Sequence, residues 1–250
     1  MGWSIDMKDG VVVAGAPFDS ELGFSSGAGF VFERLDGAWQ FTGKLLAPDQ
    51  WGFSFAGISV ACDSQFAFTG ATGSVYPAAT GAVHVFIRKW PGAWRFSQTL
   101  LPNDGTTGQG FGSAIDTDGS QLMVGSPGDA KSSGSAYILS RVSGGEWTEI
   151  AKLVPGDLTA WDEFGSAVAL SGKLGAVGTF PTQPPKPGSA YLFAVGPDVN
   201  NNGLMDPCEC PGDLNEDWIV DQADLGLLLA NWGCTGGLGY EPSTKPCPGA

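Results

Sequence analysis

Short runs of alternating apolar and polar character, opened by glycine, recur along the first three quarters of the chain. The clearest are Gly27-Ala28-Gly29-Phe30-Val31-Phe32, Gly81-Ala82-Val83-His84-Val85-Phe86, Gly134-Ser135-Ala136-Tyr137-Ile138-Leu139 and Gly188-Ser189-Ala190-Tyr191-Leu192-Phe193. Their β-branched and aromatic residues at period two predict a strand in each. Upstream of each run lies a first glycine element: Phe111-Gly112-Ser113-Ala114, Phe164-Gly165-Ser166-Ala167, and the weaker copies Phe55-Ala56-Gly57-Ile58 and Met1-Gly2-Trp3-Ser4. A second follows it in Ala14-Gly15-Ala16-Pro17, Thr69-Gly70-Ala71-Thr72, Val124-Gly125-Ser126-Pro127 and Val177-Gly178-Thr179-Phe180. A last element pairs a tryptophan with a leucine, as Trp39 with Leu45, Trp94 with Leu100 and Trp147 with Leu153, and is missing from the final unit.

These elements divide residues 1–195 into units of about 1–54, 55–110, 111–163 and 164–195, followed by a tail at 196–250. A unit of four short strands cannot bury both faces of its sheet alone, so neighbouring sheets must stack. The predicted class is all-β, with propeller blades of four-stranded antiparallel sheets and a small tail of calcium loops and helix. Composition agrees: 39 glycines and 17 prolines in a chain that is 42% hydrophobic describe short strands and frequent turns. Gly15, Gly125 and Gly178, at one register, are expected to refuse a large side chain. The period of Trp39, Trp94 and Trp147 predicts packing between blades, whereas Trp51, Trp90 and Trp161 fall in loops and are candidates for a ligand face.

Phe-Gly, then Gly-Ala-Pro, then a Gly-Ala-Val-Tyr-Val-Phe-like strand resembles the FG-GAP repeat of integrin α-chain propellers and their bacterial relatives, over residues 1 to about 195. The resemblance implies a non-catalytic, extracellular or cell-surface binding or scaffold protein with a protein or glycan ligand on its loops. Such propellers usually have seven blades, so four visible units predict a segment that has lost upstream blades, the alternative being a small ring or an open stack. An open stack would expose two apolar sheet faces. The opening residues Met1 to Asp6 have neither the basic start nor the apolar stretch of an export signal.

After Val195 the composition turns acidic. Asp198, Asn200, Asn202, the Leu204 carbonyl, Asp206 and Glu209 have the spacing of an EF-hand loop, with Gly203 at the sharp turn. Asp213, Asn215, Asp217, the Ile219 carbonyl, Asp221 and Asp224 repeat it, with Trp218 where the turn favours glycine. A hard divalent ion wants six to eight oxygens, and both runs offer them, so Ca2+ is the expected cofactor. The second loop runs into a predicted helix from Ala223 to Trp232 with Leu225, Leu228 and Leu229 on one face. Loop and helix resemble half of a type I dockerin, which implies a cohesin-like partner. Cys208, Cys210, Cys234 and Cys247 crowd into this tail and read as disulfides rather than a zinc site, because no histidine lies near them.

The formal charge of -14 opposes phosphate backbones and argues against nucleic acid. No apolar run reaches the length of a membrane-spanning helix. The only histidine, His84, sits where sister units carry Tyr137 and Tyr191, so it is expected to be structural, and no nucleophile with a base is apparent. Beside a binding or scaffold module stands a second possibility: a carbohydrate-binding or carbohydrate-active component, delivered by its dockerin-like end to a polysaccharide-degrading assembly.

Overall fold

The computed structural model describes residues 1–73, 79–142, 145–172, 174–182 and 187–195. They form four antiparallel sheets in the arrangement of a four-bladed β-propeller, each a meander of strands in chain order. Blade 1 holds β1 (Ile5–Lys8), β2 (Val11–Gly15), β3 (Gly29–Leu35) and β4 (Ala38–Leu45). Blade 2 holds β5 (Ser59–Cys62), β6 (Phe66–Ala71), β7 (Ala82–Trp90) and β8 (Ala93–Leu100). Blade 3 holds β9 (Ala114–Thr117), β10 (Gln121–Ser126), β11 (Ser135–Arg141) and β12 (Trp147–Leu153). Among the described residues blade 4 has three strands, β13 (Ala167–Ser171), β14 (Leu174–Gly178) and β15 (Ala190–Ala194).

Local chemistry sets the hairpins. Asp9-Gly10 and Asp36-Gly37 have φ of 49°, 77°, 50° and 82°, the left-handed pair that a two-residue hairpin needs, and Lys8↔Val11 and Leu35↔Ala38 close the registers they dictate. A bulge interrupts the pairing of the third and fourth strands at one position in three blades, at Val31/Phe32, Val85/Phe86 and Ile138/Leu139.

Packing between blades makes the core. Val11, Val13 and Val31 of blade 1 meet Val60, Cys62 and Phe86 of blade 2. Phe66, Phe68 and Val85 of blade 2 meet Leu122, Leu139 and Trp147 of blade 3. Strands β6 and β10 are buried along their whole length because a blade lies on each side of them. Cys62 is the buried small apolar residue expected of it, with its thiol pKa pushed up by burial.

Polar links repeat across these interfaces. Asp6 accepts from the Cys62 amide at 2.7 Å, and Asp116, at the same register two blades on, accepts from the Leu170 amide at 2.6 Å. Glu33 is fully buried and takes hydrogen bonds from Arg88, Trp94 and the Gly92 amide, all of blade 2. Burial works against its charge, but those donors outweigh it and hold the carboxyl below its ordinary range.

Three expectations need correction. The parallel bridges Gly27↔Ala56, Gly81↔Phe111 and Gly134↔Phe164 show that Ala56, not Phe55, stands where Phe111 and Phe164 stand. The glycines that follow, Gly57, Gly112 and Gly165, share a left-handed φ of 87°, 90° and 96°, and they rather than the phenylalanine carry the register. Second, a Cβ on Gly15 or Gly125 would lie 2.0 or 1.9 Å from the carbonyl oxygen of Gly57 or Gly165 in the next blade, but one on Gly178 meets only Ala167, at 3.5 Å. Among the described residues, Gly178 therefore has room, because no neighbouring blade lies against it. Third, the tryptophans do not share one environment. Trp147 is buried against Phe66 and Phe68 at 5.5 and 5.3 Å and Trp94 packs on the blade 1–2 core, yet Trp39 is 49% exposed.

Candidate functional site

The loops that lead from one blade to the next share one backbone path. The amides of Ala56, Phe111 and Phe164 donate to the carbonyls of Ser26, Thr80 and Ser133 in the preceding blade at 3.1, 2.9 and 2.9 Å. So anchored, each loop turns left-handed twice. The first turn falls at Phe53, Gly108 and Trp161 (φ 65°, 81°, 72°), the second at Phe55, Gly110 and Glu163 (φ 56°, 71°, 50°). In the loop between blades 2 and 3 both positions are glycine, which enters this region freely. Bulky side chains there cost on the order of 1–2 kcal/mol each. Phe53, Phe55 and Trp161 are thus held where the repeat itself shows that glycine fits, and strain of this kind concentrates at sites of function.

Phe53 and Phe55 belong to an exposed aromatic ridge. Trp3 meets Phe18 at 5.4 Å, Phe18 meets Phe55 at 6.0 Å, Phe55 meets Phe53 at 6.3 Å, and Phe53 meets Phe24 at 5.3 Å. Phe53 and Phe24 are 56% and 70% exposed, and Trp51 lies two residues before Phe53 in the β4–β5 loop. All come from loops at one end of the blades, since in an antiparallel meander the β2–β3 loop and the β4–β5 loop emerge on the same side. A cleft of about 450 Å³ opens at the Trp3 end, lined by Met1, Trp3, Pro17, Phe18 and Phe30. The arrangement offers flat apolar faces in water, suited to stacking on a sugar ring or to burial by a protein partner.

Charge is neutralised close to this surface. Lys44 pairs with Asp19 at 2.8 Å and with Glu21 at 2.7 Å. Lys152 of blade 3 repeats the pattern with Asp129 at 2.6 Å and Asp104 at 2.5 Å, and Asp104 also accepts from the Tyr137 hydroxyl at 2.8 Å. Blade 2 carries His84 and Thr99 at those positions, directly paired across β7 and β8 as Tyr137 and Lys152 are across β11 and β12. The Thr99 hydroxyl donates to Asp49 at 2.6 Å, so its oxygen is left to accept from His84 Nδ1 at 3.1 Å. Burial pushes the imidazole pKa down to about 4, against the pull of Asp49. A fully buried, neutral imidazole is placed to link the Asp49 loop to blade 2.

The loop tryptophans divide. Trp51 and Trp161 lie in the strained loops, whereas Trp90 closes the β7–β8 hairpin at the opposite end of its blade. Trp3, Phe18, Phe24, Phe53 and Phe55 were not among the expected ligand residues. Aligning Phe53 and Phe55 with Gly108 and Gly110 by register would have exposed two of them. Among the described residues no group of three or more acidic, histidine or cysteine side chains is arranged to hold a metal ion. The predicted calcium ligands Asp198, Asn200, Asn202, Leu204, Asp206, Glu209, Asp213, Asn215, Asp217, Ile219, Asp221 and Asp224 lie outside the described residues, as do Cys208, Cys210, Cys234 and Cys247.

Four stacked antiparallel sheets define the fold class as a β-propeller. The profile of the FG-GAP repeat matches residues 94–139 and 147–193. Each match starts in the outer strand of one blade and runs through the three inner strands of the next, so the sequence repeat straddles the blade boundary. No curated protein matches the chain. No helix among the described residues is long and apolar enough to cross a membrane.

Proposed function

We propose that the protein is a non-catalytic binding or scaffold module of the cell surface or exterior, and that its ridge from Trp3 to Phe24, with Trp51, receives a protein or glycan ligand. The observation that carries this is the pair of phenylalanines at 53 and 55, held in left-handed backbone where the sister loop has glycine. Retaining strained aromatics in water costs stability and is accounted for by a partner that covers them. FG-GAP propellers are binding folds, and the four clustered cysteines of the tail favour an oxidising compartment. In this reading the two acidic loops of the tail bind Ca2+ and order it against a cohesin-like partner or tether. A glycan ligand is the second possibility, favoured by the spacing of flat exposed rings.

Substitution by the sister loop's own residue tests the site. Phe53→Gly should raise the melting temperature while weakening ligand capture at least tenfold, in a glycan array and a cell-surface proximity-labelling assay run with and without calcium. Unchanged capture by the variant, or no ligand in either assay, would remove the ridge from function. Calorimetry on the full chain should show calcium heat that disappears in the double variant Asp198→Ala, Asp213→Ala; no heat in the parent chain would end the tail's assignment.

A further inference from the structure

Blades 1 and 3 each hold an ammonium at the same place in the repeat. The penultimate residue of the fourth strand is a lysine there, Lys44 or Lys152, paired across the sheet with an aromatic residue, Phe30 or Tyr137. Its Nζ lies over that ring, 5.3 and 5.2 Å from the respective centroids. Two carboxylates complete each setting: Asp19 and Glu21 around Lys44, Asp104 and Asp129 around Lys152. An ammonium has three donors and no acceptor, so a ring face and carboxylates are what it needs around it.

Blade 2 keeps those surroundings without the lysine. His84 supplies the ring, and Asp49 supplies a carboxylate at the same distance past Leu45 as Asp104 is past Leu100. At the lysine position stands Thr99, whose side chain stops well short of a lysine's reach. Among the described residues no lysine or arginine comes within ion-pair distance of Asp49; its contact of that kind is with His84 Nδ1, at 3.6 Å, on an imidazole that burial keeps neutral. Two buried acceptors, Asp49 Oδ1 and His84 Nε2, have no donor. Since Nδ1 donates to the Thr99 hydroxyl, Nε2 carries a bare lone pair on a fully buried ring. Buried acceptors of this kind are rare, and a bound ion or water is a common reason for them.

We infer that blade 2 binds a free monovalent cation of ammonium size, ammonium itself or potassium, beside Asp49 and His84, where blades 1 and 3 use a lysine of their own. Thr99 Oγ1 donates to Asp49 Oδ2 at 2.6 Å and accepts one bond from His84, which leaves it a second lone pair for the ion. The charge follows from the ligands: one carboxylate balances one positive charge. A divalent ion such as calcium takes six to eight oxygens, and among the described residues no group of three acidic, histidine or cysteine side chains gathers here. Because Asp49 Oδ1 and His84 Nε2 are enclosed, a bare ion suits them better than the side chain of a partner. The site is distinct from the acidic loops of the tail. It ties the loop that carries Trp51, Phe53 and Phe55 to blade 2, as Lys152 ties the Asp104 loop to blade 3.

Thermal melting of the full chain at neutral pH tests this, in equal concentrations of potassium, ammonium or tetramethylammonium chloride. A chelator in every sample keeps divalent ions from the tail. Tetramethylammonium has the same charge but is bulky and has no N–H to donate. The parent should melt roughly 3–6 °C higher in potassium or ammonium than in tetramethylammonium, with a rise that follows the ion's concentration. Thr99→Lys, which copies the sister blades and brings its own ammonium, should melt alike in all three salts, no lower than the parent does in potassium. Asp49→Asn, which removes the charge and keeps the shape, should also lose the salt preference and melt at the lower temperature. A parent indifferent to the cation, or a preference that survives in Asp49→Asn or in a folded Thr99→Lys, would overturn the proposal. The experiment reads ion-dependent melting and uses no ligand of the ridge, so either conclusion can fail alone.

Discussion

Trp147 and Trp39 hold the same place in their blades and experience different surroundings. The first is 2% exposed, wedged edge-on against two phenylalanines of the neighbouring blade; the second is 49% exposed on a face that no other described blade covers. Gly125 and Gly178 repeat the contrast at the other side of the interface. Each repeat unit therefore specifies a sheet together with two half-interfaces, and whether each half is filled depends on the next unit. The outer faces are the same chemistry as the interior, differing in what lies against them.

The contrast is sharpest at the glycines. A valine at 125 would drive its Cβ into the Gly165 carbonyl, which cannot move without separating blades 3 and 4, so Gly125→Val should cost more than about 4 kcal/mol and lower the melting temperature by roughly 10 °C or more. Gly178→Val should shift stability by less than about 1 kcal/mol. Equal melting shifts for the two variants in scanning calorimetry would show that the back of blade 4 is covered within the chain.

The tryptophans come next in size. Trp147→Ala removes a buried ring and leaves a cavity between blades 2 and 3, for an expected loss of about 3–5 kcal/mol in urea titration. Trp39→Ala should cost less than about 1 kcal/mol. A comparable loss at Trp39 would mean that its face is packed in solution.

His84 gives the smallest effect and concerns a single internal interface. Its pKa falls from 6.5 in the unfolded chain to about 4 when buried, so between those values the unfolded state binds the extra proton. Stability that is fully present above pH 6.5 should be lost as pH falls toward 4, by up to about 3 kcal/mol. His84→Phe, which copies Phe30 of blade 1, should flatten that slope. An unaltered slope in the variant would assign the acid sensitivity to the carboxylates.

Much of this was legible in the residues. The repeated Phe-Gly and Gly-x-Pro elements announced the blades; the Asp-Gly dipeptides at 9–10 and 36–37, which set two hairpins, were not singled out. His84 was correctly placed by the tyrosines at its register. The slip from Phe55 to Ala56 arose because phenylalanine is the more conspicuous residue while glycine carries the geometry. The ridge stayed hidden for a related reason: Phe53 reads as an ordinary apolar residue until its φ is known.

By itself the sequence determined the local conformations and the repetition, since strand period, turn chemistry and glycine spacing act over a few residues and are written in each unit. Which faces are buried was decided only by the tertiary structure. Burial depends on what stands on the far side of a blade, and identical side chains such as Trp39 and Trp147 cannot encode whether a neighbour is present. The same holds for the strain at Phe53 and Trp161, which is imposed by the anchoring of each loop to the preceding blade and not by any preference of the residues that bear it.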